Sequence, residues 1–405
     1  MLLALATFIN YADRGNLATA SPMLRGELGL SNAEMGLLFS AFFWSYAPLQ
    51  PLAGALVQRF GVRRVLAVGL ALWATGTAAC GFAHGFWQLL ACRMLLGIGE
   101  SVTYPSNAQT LASRLPPTAR GRANGLIAVG QALGPTAGTL LGGLLMAAQG
   151  WRISFLLFGG LSLLWLLPWM RVTSDETPAL RESRAPQVRY RSILGQRALW
   201  GTGLGHFAGN YAYYFSLTWL PLFLVKTHGY TVSTMAWVGA LVYLMQALGA
   251  PLSGLWCDRQ LAQGADADRL LKGVMVLALG AVTVLMAGCA LANAPIAIAL
   301  LLLSGFFFGV QSAPLGAITQ TLAGPATAAR WMGVQNLCGN IAGVIAPIIT
   351  GIAIDRTGSF SAPFLIASLI TLLGIFAYRI LIPSVRPIDW ESVARRPPRM
   401  RSSRP

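Results

Sequence analysis

The chain has 405 residues, 55% of them hydrophobic and 10% charged, with a formal net charge of +16. An ordinary soluble domain is about a quarter charged, so this balance excludes a soluble enzyme and indicates an integral membrane protein. The charge excess leaves two readings, a nucleic-acid surface or a membrane protein with its cations on one side, and their placement decides between them.

Crossing the hydrocarbon takes roughly 20 mostly apolar residues. Twelve such segments follow one another, near 2–24, 33–57, 62–82, 86–112, 120–148, 152–170, 199–224, 232–257, 270–292, 295–322, 330–354 and 359–383. The sequence therefore predicts an all-α membrane protein: a six-helix bundle over 1–171, a cytoplasmic linker over 172–198, a second six-helix bundle over 199–383 and a basic tail over 384–405. By this assignment 23 of the 29 Lys and Arg fall in the even-numbered side's loops and the tail. Four (Arg25, Arg152, Lys226, Arg356) fall on the other side, and Arg14 and Arg93 lie inside spans. This is the positive-inside pattern of a plasma-membrane protein with both termini cytoplasmic, and it leaves no need for a nucleic-acid partner.

In chain order, the first span carries FINYADRGNLA, with Asp13 and Arg14 side by side and about 18 Å from the start of the helix, near the middle of the hydrocarbon core. Tyr46 lies in the second span, which ends in GALVQRFGVRR from Gly54. The fourth span places Arg93, Gly97, Glu100 and Tyr104 at i, i+4, i+7 and i+11, one helical face. Of the 13 acidic residues only Asp13 and Glu100 are deep in spans. Charges at that depth cost several kcal/mol unless they face a partner or a wet interior. They are either two salt bridges clamping helices one and four or parts of a polar cavity, and the polar residues of other spans, Asn10, Tyr11, Gln131, Asn210, Gln311, Asn336 and Asn340 among them, are more than a clamp requires. His206 in the seventh span is expected to be a neutral hydrogen-bonding or structural group.

The two halves echo each other. GLWCDRQ after the eighth span parallels the loop after the second, and the Gly- and Pro-rich fifth span (GQALGPTAGTLLGG) parallels the eleventh (GNIAGVIAPIITG). Small residues let membrane helices approach closely, and a parallel repeat is a known transporter plan with its site between the halves. The five cysteines are scattered, with neither metal nor disulfide spacing. No P-loop, metal cluster or nucleophile–base pair is visible, which leaves no cofactor expected beyond the proton as coupling ion.

Over its whole length the chain resembles the major facilitator superfamily. Gly54, Arg59, Gly61, Arg63 and Arg64 resemble its loop 2–3 signature, with Gln58 where the usual acid stands, and Asp258 and Arg259 match the counterpart in the second half. NYADRGN (10–16), RMLLGIGES (93–101) with Pro105, and YYFSLTWLPLFL (213–224) resemble the anion:cation symporter family. That resemblance implies proton coupling by Asp13 and Glu100 and substrate binding by Arg14 and Arg93. It also implies contacts from Tyr11, Tyr46, Gln131, Trp331, Asn336 and Asn340, and gating by the loop signatures.

Arginine holds a carboxylate bidentately and does not usefully titrate, whereas a buried acid does. The expected function is proton-coupled uptake of a small organic anion, such as a hexonate or hexuronate, by a monomeric carrier in a bacterial inner membrane, with Arg14 as the charge partner of Asp13. A drug or metabolite efflux antiporter is the alternative, and a membrane sensor or enzyme a more distant one.

Overall fold

The computed structural model describes residues 1–114, 117–173, 188, 190–324, 327–390 and 393. Among them there is no strand, and the apolar runs are helices whose ends are marked by local chemistry. α1 (Leu2–Leu28) stops at Gly29, which takes the left-handed φ of 65°. α2 (Asn32–Phe60) begins in a reciprocal capping box: the Ser31 side chain accepts from the Glu34 N–H, and Glu34 accepts from the Ser31 N–H. Gly61, at φ 81°, makes the corner into α3 (Val62–Cys80).

α4 (Phe86–Glu100) and α5 (Thr103–Arg114) together make the fourth span, interrupted at Ser101 and Val102. α6 (Pro117–Leu164) holds the fifth and sixth spans, parted at Gly150 with φ 80°, and α7 (Leu166–Val172) continues the sixth. A short α8 (Tyr190–Leu194) precedes α9 (Arg197–His228) and α10 (Val232–Ala262). α11 (Ala267–Cys289) is capped by Asp266, and α12 (Ala294–Val310) by Asn293 with Pro295 in its first turn. α13 (Ser312–Ala323) completes the tenth span after a break at Gln311. α14 (Ala328–Thr357) and α15 (Ser361–Phe376), the latter extended by a π-helical turn over Ala377–Leu381, finish the set.

The twelve predicted spans are thus accounted for among the described residues, and the fourth and tenth are both broken beside the centre of the molecule. The repeat is closer than the loop signatures indicate. Asn10-Tyr11-Ala12 in α1 recurs as Asn210-Tyr211-Ala212 in α9, 200 positions later, and each helix carries an internal proline further along, Pro22 and Pro221. Arg14 and Tyr214 therefore hold equivalent places in the two halves. Most of the predicted linker and tail lies outside the described residues. The tail's first residues are docked: the Val385 N–H donates to Asp268 at 2.7 Å and the Trp390 indole to the Ala323 carbonyl at 2.7 Å.

At the corner between the fifth and sixth spans, the Arg152 guanidinium pairs with Glu27 at 2.8 Å and donates to the carbonyls of Gly81 and Ala83. The Trp151 indole donates to the other Glu27 oxygen at 2.6 Å. These bonds tie the ends of α1 and α3 to the start of the sixth span, and the Trp151 hydrogen bond, followed by Arg152, holds the Glu27 carboxyl below the usual carboxylate range.

The site-bearing helix is positioned by glycines. A Cβ on Gly134 would meet the Phe8 carbonyl and the Tyr11 Cβ, each at 2.7 Å, and one on Gly130 or Gly138 would press on the Ala4 or Ala12 carbonyl. Glycine at every fourth position of α6 lets α1 lie directly on its backbone, the close packing that small residues allow in membranes. Gly134→Val is expected to cost about 1–3 kcal/mol by overpacking and to lower the melting midpoint of the detergent-solubilised protein. An unchanged midpoint would show that the helices separate at little cost.

Candidate functional site

A cavity of about 530 Å³ lies between the two halves. Its first-half wall is built around Arg14. The guanidinium sits among three aromatic rings, 4.6 Å from the centroid of Tyr11, 4.8 Å from Phe42 and 4.7 Å from Tyr46. Its Nε donates to Glu100 Oε2 at 2.6 Å, while Nη2 is buried with no hydrogen-bond partner. Beside it runs a hydroxyl chain: Tyr11 and Tyr104 share a hydrogen bond of 2.7 Å, and Tyr104 donates to Gln131 at 3.0 Å. Arg93 also lines the cavity, with its guanidinium 5.4 Å from the Phe42 ring and its Nε unpartnered.

Asp13 and Glu100 do not line the cavity. Glu100 is fully buried behind Arg14, and Asp13 is 1% exposed, facing the sixth span, where the Ser162 hydroxyl donates to it at 3.3 Å. The expected pairing of Arg14 with Asp13 is corrected: Arg14 pairs with Glu100. Neighbours along a helix point about 100° apart and do not share a partner face, so Asp13 and Arg14 serve different faces of α1.

From the second half, Asn336 and Asn340 reach the cavity as expected, with the Tyr214 hydroxyl donating to Asn340 at 3.1 Å and Asn210 donating to the Gly339 carbonyl at 3.2 Å. Trp331 does not. It is fully buried at the start of α14, its indole donates to Thr202 at 3.1 Å, and its ring lies edge-on to Trp390. Five and nine residues from Asn336 and Asn340, it is rotated by roughly 140° and 180° from them at 3.6 residues per turn. Gln50, Tyr213 and Gln246 line the cavity without having been singled out. Each is a polar residue inside an apolar span, the one signal that marked the others.

The cavity is closed at one end. Phe39 meets Trp219 edge-on at 5.3 Å and Phe43 meets Tyr214 at 4.8 Å, both across the halves. Beyond them Asp355, at the end of α14, caps the start of α2. One oxygen accepts from the Asn32 N–H at 3.2 Å and the Asn32 carboxamide at 2.6 Å, and the other from the Ala33 N–H at 2.7 Å. A carboxylate satisfies the free N–H groups and the positive end of the α2 dipole. The partners are 323 residues apart, so no local pattern announces this latch. Around it the backbones touch: a Cβ on Gly36 would strike the Pro347 carbonyl and one on Gly351 the Asn32 carbonyl. Gln50, Leu315 and Met332 carry the lining toward the other end, the one with the basic loops.

Of the expected gating residues, Arg59 lies over the Phe60 ring, and Arg63 donates to the Met170 carbonyl at 2.9 Å. Arg64, Asp258 and Arg259 are exposed, and Gly61 forms the α2–α3 corner. The side-chain surroundings of Gly54 and Gln58 lie outside the described residues.

The sequence model of the Major Facilitator Superfamily matches residues 3–265 and 233–403. The chain belongs to this superfamily. Among curated relatives it is 31% identical over 401 residues to the hexuronate transporter of Bacillus subtilis (strain 168), covering 96% of this chain and 94% of that one. It is 30% identical over 396 residues to the probable sulfoacetate transporter of Cupriavidus necator, covering 93% and 91%. The superfamily fold is shared with a bacterial homologue of the human lysosomal transporter Spinster in an inward-facing, unoccupied conformation, at a TM-score of 0.83, 19% identity and coverage of 94% and 95%.

Asp355→Ala removes three inter-half hydrogen bonds, and the closed end is expected to open. In a background lacking the five native cysteines, a Thr218→Cys probe should be labelled by an impermeant maleimide at least about fivefold faster when Asp355→Ala is added, the worth of about one net hydrogen bond. Equal rates would mean that the aromatic contacts alone hold this end shut.

Proposed function

We propose that this superfamily member is a secondary active transporter that takes up a small organic anion, a sugar acid of the hexuronate or hexonate kind, together with protons by alternating access. The observation that carries the reading is the Arg14–Glu100 pair in the cavity wall, held within an aromatic cage and with a guanidinium nitrogen still unpartnered. The species for which both relatives are named, hexuronate and sulfoacetate, are anions. The cavity's amide, phenol and imidazole groups suit a hydroxylated acid better than a large apolar drug, which favours uptake of a sugar acid over efflux.

An incoming carboxylate competes with Glu100 for the Arg14 guanidinium. Once displaced, Glu100 is a buried acid without its counter-charge, a state that costs several kcal/mol, and it is relieved by a proton. Anion and proton then bind together. Asp13, hydrogen-bonded by Ser162 within the first bundle, is a second proton site on this reading. With the basic loops cytoplasmic, the cavity opens inward and the Asp355 latch closes the outer face.

In proteoliposomes containing a pH dye, hexuronates and hexonates should acidify the lumen, and neutral sugars should not. Asp13→Asn and Glu100→Gln are expected to abolish proton-driven accumulation while retaining counterflow of labelled substrate. Arg93→Lys should raise KM about tenfold or more, because a charge-assisted bidentate contact is worth about 1.5–3 kcal/mol. Wild-type accumulation in all three variants would sink the coupling scheme, and proton movement opposite to a lipophilic cation would establish efflux instead.

A further inference from the structure

Behind the cavity wall a second polar seam runs along α1. The Arg14–Glu100 bond fixes one end of it, and at the other the Asn107 carboxamide donates to the Thr7 hydroxyl at 3.1 Å. Between these ties the helices run in opposite directions with matched spacing: Thr7, Asn10 and Arg14 on α1, and Glu100, Thr103 and Asn107 where α4 passes into α5. Steps of three and four residues keep each set on one helical face, and Ser101 at the interruption keeps helical angles, φ −56° and ψ −24°. The seam is about 10 Å long at roughly 1.5 Å per residue. Thr7, Asn10, Thr103 and Asn107 are at most 5% exposed, and none of them lines the cavity. Tyr11, Arg14 and Tyr104 stand on the cavity side.

Four buried atoms of this seam have no hydrogen-bond partner: Glu100 Oε1, Asn10 Oδ1, Thr103 Oγ1 and Asn107 Oδ1. A buried polar atom left unpaired costs about 1–3 kcal/mol, and an apolar side chain of the same shape avoids that cost. Packing alone therefore disfavours such a row, whereas water bound among these atoms satisfies them. At the far end the Thr7 hydroxyl donates to the Leu3 carbonyl at 2.9 Å, in the half-buried first turn of α1. That turn lies on the side of the basic loops, the cytoplasmic one.

We propose that this seam holds water and conducts the proton between Glu100 and the cytoplasm, by a route separate from the anion's. It rests on the coupling reading above and names the way out for the proton. When the anion leaves, Glu100 gives its proton to water at Oε1 and pairs again with Arg14. The proton hops along the waters and the Thr103 hydroxyl, which passes on one proton as it accepts another, and emerges in cytoplasmic water. The two carboxamides hold the waters and transfer nothing.

The full chain in proteoliposomes is given labelled glucuronate, and two rates are read. Uptake driven by an imposed pH gradient needs the proton released, and counterflow at equal pH does not. Thr103→Val and Asn107→Leu keep the side-chain shapes and remove the polar atoms. Each should lower pH-driven uptake at least about tenfold relative to counterflow, a positioned proton carrier being worth about a hundredfold or more. Each should also raise the solvent deuterium isotope effect on that uptake, because proton release becomes the slow step. Thr103→Ser, which keeps the hydroxyl, should behave as wild type. An unchanged ratio of the two rates in both apolar variants, or an equal fall of both rates, overturns the path and leaves the coupling reading standing. Absence of pH-driven glucuronate uptake in wild type overturns both.

Discussion

A salt bridge with almost no access to water, Arg14 to Glu100, is the constraint around which the rest of the molecule is arranged. Two charges taken out of water cost several kcal/mol each before their attraction is counted, and removing either partner alone leaves the other stranded. The bundle meets that cost with specific devices. Three aromatic rings face the guanidinium, glycines in α6 bring α1 close enough to hold it in place, and Gly97 lets α4 press against the Phe42 carbonyl so that Glu100 reaches across. A pair assembled this way is stable while undisturbed and sensitive to any third charge that enters. That sensitivity suits a carrier better than a scaffold.

Much of the fold is legible in the sequence because the bilayer imposes a single rule on every span. Length, apolarity and the side on which arginines accumulate are enough to place twelve spans, but not the interruptions at Ser101–Val102 and Gln311. The site is legible to a lesser degree, and for a different reason. A charge in an apolar run is conspicuous, so Asp13, Arg14, Arg93 and Glu100 stand out, but their pairing depends on which face each occupies. Helical rotation alone separates Asp13 from Arg14, and it turns Trp331 away from Asn336 and Asn340; in both cases the angle was available from spacing. The Asp355 latch was not, because its partners lie in the other half of the chain.

The two halves began from a similar pattern and diverged in chemistry. Asn-Tyr-Ala introduces both α1 and α9, but Asp13 and Arg14 face tyrosines 213 and 214 at the equivalent places. Among the described residues one half keeps the deep formal charges, and the other offers amides, phenols and an imidazole. Such a division places affinity for an anion on one wall and discrimination among its hydroxyls on the opposite one. A substrate contacting both walls draws the halves together, a differential interaction of the kind that shifts a conformational equilibrium.

The deep charges also balance. Two acids and two arginines leave the unloaded site with no net charge, so on this reading the empty carrier changes orientation without electrical work against the membrane potential. One monovalent anion with one proton preserves that neutrality. Each additional proton makes the loaded step sensitive to voltage, worth about 2.3 kcal/mol per 100 mV. The second acid, Asp13, is then what allows the potential, and not the proton gradient alone, to drive accumulation.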